Sequence, residues 1–208
     1  IFPDRFIPLA ESSGLIDTLG AWVLNQACMF CAKQQQNGNS ELSIAVNLSF
    51  AQFKDGNLPQ IVKGALETSQ LAPEHLELEL TESILADDNG NVIQQLEQIK
   101  SLGVTFAIDD FGTGYSNLNY LRTFSAQKLK IDRIFINTLG FDEKDVPLVT
   151  AIISIAESLG MATVAEGIEN EAALKKITEM GCDIGQGYYW SKPVPAEQIE
   201  RLIEAQSP

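Results

Sequence analysis

Residues 107–121, AIDDFGTGYSNLNYL, set two adjacent aspartates at the end of a short apolar run, ahead of a loop with two glycines. Neighbouring side chains on a strand point to opposite faces, so Asp109 and Asp110 side by side need a reason. They are not alone: Asn47 and Glu79 also fall near the ends of extended runs. Four oxygen donors, with no sulfur or imidazole among them, select a hard cation, Mg²⁺ or Mn²⁺, over zinc. Several carboxylates gathered together repel one another unless a cation intervenes. Two cations bridged by a shared aspartate would stabilise them, activate a water and neutralise a phosphate ester in line with it. In such a site Lys130 would stabilise developing charge or position the water, and Glu166 would take a proton as general base. Each residue taken singly has a plain alternative. An acidic residue at one strand end is ordinarily a turn or cap residue, and Asn47 reads equally well as the cap of the following turn. Recurrence at strand after strand is what favours a site.

The elements that must position these residues alternate along the chain. LSIAVNLS (42–49), HLELELTES (75–83), VTFAIDDFG (104–112), AQKLKIDR (126–133), MATVAEGIE (161–169) and CDIGQGYYW (182–190) read as strands. Between them 58–70, 91–103, 146–160 and 170–181 carry apolar residues at helical spacing, and several end in glycine. An opening helix spans 15–36 and a closing one 195–206. The alternation predicts an α/β fold with parallel pairing. Each strand ends in polar groups: Asn47; Glu79 and Glu82; Asp109 and Asp110; Lys130 and Asp132; Glu166 and Glu169; Gln186. In a TIM-like (β/α)8 barrel such ends converge on one mouth, which favours a barrel over a doubly wound sheet with one crevice. Six strand signals fall short of eight, and 208 residues are fewer than the roughly 250 of a complete barrel. The expectation is one domain over 1–208 lacking its first strand or strands.

Composition bounds the function. The chain is 45% hydrophobic, which suits a globular core, and its net charge of −14 argues against a broad nucleic-acid footprint. No stretch reads as a membrane span, a signal sequence, a dinucleotide fingerprint or a phosphate-binding glycine loop. Cys28 and Cys31 form a lone C-x-x-C within a helical pattern and read as ordinary buried thiols. Three cysteines, an odd number, fit a reducing, cytoplasmic compartment. His75, the one histidine, reads as structural, so a catalytic base is expected elsewhere.

At this point longer motifs matter. ELTES (79–83), IDDFGTGYSNLNYL (108–121), KLKIDR (128–133), VAEGIE (164–169) and GQGYYWSKP (185–193), with the opening FIPLAESSGLIDTLGAWVL, resemble the EAL-domain cyclic di-GMP phosphodiesterases over essentially the whole chain. The resemblance implies that Asn47, Glu79, Asp109 and Asp110 are metal ligands, with Asp109 the bridge. It implies that Lys130 belongs to the catalytic centre, that Glu166 serves as general base or water-binding group, and that Gln186 lies at the metal and water site. Glu82 would anchor the loop after the paired aspartates, with Glu169 in the same supporting region. The implied activity is hydrolysis of cyclic di-GMP, a bacterial second messenger, to linear pGpG with Mg²⁺ or Mn²⁺, inhibited by Ca²⁺. The implied partners are a second copy of the chain near the 110–121 loop and upstream sensor or signalling domains, with a membrane anchor in many parent proteins but no membrane contact by this domain.

The departure lies at the front. The Glu-Ala-Leu triplet that names the family, whose glutamate is a ligand, does not occur ahead of FIPLAE; the GALE at 64–67 is in a helical pattern. The chain as given is therefore expected to be a weak or inactive catalyst. The competing reading is a receptor module that binds cyclic di-GMP without cleaving it.

Overall fold

The computed structural model describes residues 1–85, 90–113, 121–122, 124–139 and 141–206, which form two compact units, Ile1–Phe106 and Ala107–Pro208. In the first unit, helix α1 (Pro3–Ser13) opens with proline in its first turn and stops at Gly14, whose φ of 75° is the left-handed conformation of a helix stop. Helix α2 (Leu15–Gln36), strand β1 (Ile44–Leu48), helix α3 (Leu58–Ser69), strand β2 (Leu76–Thr81), and helices α4 (Glu82–Leu85) and α5 (Gly90–Lys100) follow. β1 and β2 are parallel, with Ala45 beside Glu77 and Asn47 beside Glu79. Along β2 the alternation puts Leu76, Leu78 and Leu80 on one face and the two glutamates on the other. All five are buried.

Helix α2 corrects one expectation. Its 22 residues, at a mean hydropathy of 1.3, are long and apolar enough to cross a membrane by length and composition alone. Within the unit, its Leu24, Cys28 and Cys31 are buried in the helix's packing with α3 and β1. The thiols are free, and burial followed by repulsion from Cys31 pushes Cys28 up to about 11, far from the thiolate that a metal or redox site needs.

The second unit takes up strand β3 (Thr105–Phe111), which begins two residues before it. Strand β4 (Lys128–Ile131), helix α6 (Arg133–Ile136), helix α7 (Val146–Leu159), strand β5 (Ala162–Ala165), helix α8 (Glu171–Glu179), strand β6 (Ile184–Gly185) and helix α9 (Ala196–Gln206) complete it. β3 to β6 pair in sequence and in parallel. Ile108, Leu129, Ile131 and Val164 of the strands and Val149, Ile152 and Ala156 of α7 form its core. α8 starts where the Asn170 side chain accepts from Ala173 N–H at 2.9 Å, an ordinary N-cap.

All six expected strands are present, each shorter than its sequence signal, and the long helices lie within a residue or a few of their predicted bounds. Shortening changes where the polar residues sit. Glu82 begins α4 rather than ending β2, Asp132 caps α6, and Glu166, Glu169 and Gln186 lie in the turns beyond β5 and β6. His75 belongs to a single 3₁₀ turn, Pro73–His75, ahead of β2.

Candidate metal centre and catalytic residues

The adjacent aspartates are resolved by a break in strand register. Ala107 pairs with Lys128 and Ile108 with Leu129, but the next partner of Ile131 is Phe111. Asp109 and Asp110 together therefore oppose Lys130 alone, the two-against-one count of a β-bulge. Asp110 has φ of +54°, left-handed, a conformation that aspartate tolerates better than most side chains. Its N–H donates to Asp109 Oδ1 at 3.1 Å, and its carbonyl accepts from Thr113 Oγ1 at 2.8 Å. The placement of both aspartates at the strand's end is thus refined. The strand runs on to Phe111, and the bulge turns the second carboxylate to the side of the first.

The result is a cluster. One carboxylate oxygen each from Asp109, Asp110 and Glu166 lies within 4.8 Å of the other two. Lys130 Nζ sits among them, 2.9 Å from Asp109 Oδ1 and 2.7 Å from Glu166 Oε1, with 4% of its side chain exposed. One ammonium does not balance these carboxylates. Burial pushes Asp110 up to about 6, helped by a hydrogen bond to the Asp132 carboxylate and by the charges of Asp109, Asp132 and Glu166. A crowded, partly dry set of oxygen donors with a deficit of positive charge fits a hard divalent cation.

Asp132 is the residue that sequence reasoning left without a role. Besides its bond to Asp110, it caps α6 by accepting from Ile134 N–H at 2.7 Å. Its place two residues beyond Lys130 in KLKIDR was the available signal.

Backbone bonds fix the turns that carry Glu166 and Gln186. Glu166 N–H donates to Ile131 O at 3.1 Å, Gln186 N–H to Ala165 O at 2.9 Å, and Ile168 N–H to Gln186 O at 3.0 Å. Two glycines let the chains approach. A Cβ on Gly167, at φ +70°, would lie 2.5 Å from Arg133 Cβ, and a Cβ on Gly187 would overlap the backbone of Ile168. The Gln186 side chain is exposed, as is Glu169 in the turn before α8. In the first unit, Glu79 is 7% exposed and Asn47 is exposed beside it on β1, while Glu82 is buried at the start of α4. The structure thus brings Asp109, Asp110, Lys130 and Glu166 together, and separately Asn47 with Glu79. Residues 114–120, most of the loop expected to meet Glu82 and a second copy, lie outside the described residues.

Comparison with known proteins decides the family. The model of the EAL domain matches residues 1–193. The chain belongs to the EAL domain family. Relatives of this EAL chain include the bifunctional diguanylate cyclase/cyclic di-GMP phosphodiesterase MucR of Pseudomonas aeruginosa, 45% identical over 96% of the chain and 29% of MucR. The cyclic di-GMP phosphodiesterase NbdA of the same organism is 41% identical over 98% of the chain and 26% of NbdA. A solved structure of the P. aeruginosa MucR phosphodiesterase in complex with cyclic di-GMP superposes with a TM-score of 0.91 at 45% identity, covering 96% of this chain and 81% of that one. The α/β architecture is that of the EAL domain, a TIM-like barrel fold. The EAL chain spans between a quarter and a third of the length of these curated relatives.

Proposed function

We propose that this EAL domain carries out metal-dependent hydrolysis of cyclic di-GMP to linear pGpG. The observation that carries the reading is the Asp109–Asp110–Glu166 cluster held around Lys130, in a chain 45% identical to MucR. Asp109 and Asp110 would hold the cation, Mg²⁺ or Mn²⁺, with Glu166 beside it as the base, and the family resemblance assigns Asn47 and Glu79 as further ligands. When bound, the cation supplies Lewis acidity, polarising the phosphodiester and easing ionisation of an attacking water.

The chain's own residues do the rest. Glu166 accepts the water's proton, and the ion pair with Lys130 holds its carboxylate in place for that transfer. Lys130 also offers a fixed positive charge to the phosphate oxygens as the transition state develops. Asp110, which when protonated donates a hydrogen bond to Asp132, must release that proton to solvent before it can ligate. Gln186, in a turn fixed by backbone hydrogen bonds, would orient water, the role that the family resemblance implies. Glu82 and Glu169 are proposed to anchor the loop after Asp110, which makes Glu82→Ala a variant with weaker cation binding despite an intact ligand set. The free cysteines support a cytoplasmic location.

The experiment is incubation of cyclic di-GMP with the protein carrying this domain, with Mn²⁺, Mg²⁺ or chelator, and chromatographic detection of pGpG. Tight nucleotide binding without product would replace the enzyme by a receptor.

A further inference from the structure

The opening run AESSGLIDTLG takes no part in the chemistry above, yet two of its residues converge on the turn after Asn47. Ser49 Oγ donates to Glu11 Oε1 at 2.5 Å, across 38 residues of sequence. That is the length of a charge-assisted O–H···O⁻ bond, the stronger class of hydrogen bond. The same Ser49 caps the 3₁₀ turn Phe50–Phe53 in a capping box: its Oγ accepts from Ala51 N–H at 3.2 Å, and its own N–H donates to Gln52 Oε1 at 2.8 Å. The Gln52 side chain lies where a Cβ on Gly20 of α2 would stand, so a larger residue there would displace it from this position.

These contacts fasten the turn that follows a strand end. Among the described residues β1 pairs with β2 as far as Leu48, beside Leu80, and Asn47 is exposed. The turn after the last paired residue is held by contacts other than the ladder. Glu11 from α1 and Gln52, seated over Gly20 of α2, grip the residue directly after Leu48.

We propose that Glu11 is a positioning residue: through Ser49 it fixes the carboxyl end of β1 and thereby the side-chain amide of Asn47 as an oxygen ligand. The inference rests on the reading of Asn47 as a cation ligand. Residues that orient metal ligands typically account for about 10- to 100-fold in affinity.

The test compares Glu11→Ala, Glu11→Gln and Ser49→Ala with the wild-type protein in two measurements. One is the Kd for Mn²⁺ alone, and the other, made without metal, is the NMR signals of the Asn47 side-chain amide and the Leu48 and Ser49 N–H groups. Glu11→Ala and Ser49→Ala are expected to weaken Mn²⁺ binding about tenfold and to shift those signals. Glu11→Gln, which keeps an acceptor oxygen at the same reach, restores both. Unchanged Mn²⁺ affinity in a folded Glu11→Ala or Ser49→Ala protein overturns the proposal, as does a Gln variant as impaired as the Ala one. If Glu11→Ala does not fold, Ser49→Ala and Glu11→Gln decide by the same criteria. If the wild type binds no Mn²⁺, the cation reading fails on its own. The NMR arm then decides whether Glu11 places Asn47, and unmoved signals refute it.

Discussion

Lys130 Nζ and Glu166 Oε1 are 2.7 Å apart, the ammonium on β4 and the carboxylate one residue beyond the end of the neighbouring β5. The same Nζ reaches Asp109, so a single buried ammonium holds two carboxylates, the proposed ligand and the proposed base, at a fixed spacing. Such a group should be dear to fold around and expensive to lose.

Lys130→Ala is therefore expected to cost about 3 to 5 kcal/mol of metal-free stability, because it leaves buried carboxylates uncompensated. Added Mn²⁺ should recover more stability in the variant than in the wild type, since the cation takes over part of the missing charge. Urea unfolding with and without Mn²⁺ measures both. A variant as stable as the wild type would mean that the three groups do not form the ion-paired cluster.

Cation affinity should depend on pH through Asp110. Its pKa is raised to about 6, so the metal-free folded protein holds this proton more tightly than the unfolded chain does. Two consequences follow. Cation binding must displace the proton, so affinity rises as pH increases through about 6 and flattens above it. Metal-free stability carries an Asp110 penalty that is fully present above about 6 and is relieved as pH falls from there toward the ordinary carboxylate value of 3.8. Asp110→Asn keeps tolerance of the left-handed backbone while removing the charge. It should stabilise the metal-free protein at pH 7 to 8, leave pH 4 nearly unchanged, and abolish the pH slope of what binding remains. Calorimetric titration with Mn²⁺ at several pH values checks this, and a slope that survives the substitution assigns the proton elsewhere.

How far the sequence reached can be judged at particular residues. Alternation along LELELT and the β-branched runs announced the strands, since a period of two is a direct consequence of the pleat. Asp109, Asp110, Lys130 and Glu166 were legible as candidates for the same reason, each lying near a strand end. The bulge was not legible, because periodicity describes an unbroken pleat and carries no sign of a residue in the left-handed region. Helix α1 escaped because Pro8 lies inside it, where proline usually ends a helix. Helix α6 escaped because four residues are too few to show a period, although its cap, Asp132, stood in plain view. The burial of Glu77 and Glu79 on the polar face of β2 depends on what that face meets, which no local pattern records.

The turns beyond β5 and β6 give a third prediction. Gly187→Ala would drive a methyl group into the backbone of Ile168 and part the turn that carries Glu166 from the one that carries Gln186. It should destabilise the protein by about 1 to 3 kcal/mol, as overpacking does. Turnover should fall by more than the loss of folded protein explains. Comparing kcat at a temperature where the variant is fully folded separates the two, and an unimpaired kcat would show that this turn has no part in placing the reacting groups.

The most direct test of the central claim is the metal dependence of cyclic di-GMP cleavage by the protein carrying this domain, with Asp109→Asn beside the wild type. The account predicts pGpG as the product, formed with Mg²⁺ or Mn²⁺, stopped by chelator, and lost in Asp109→Asn. Product formed equally well in chelator, or retained when Asp109 loses its charge, would contradict it.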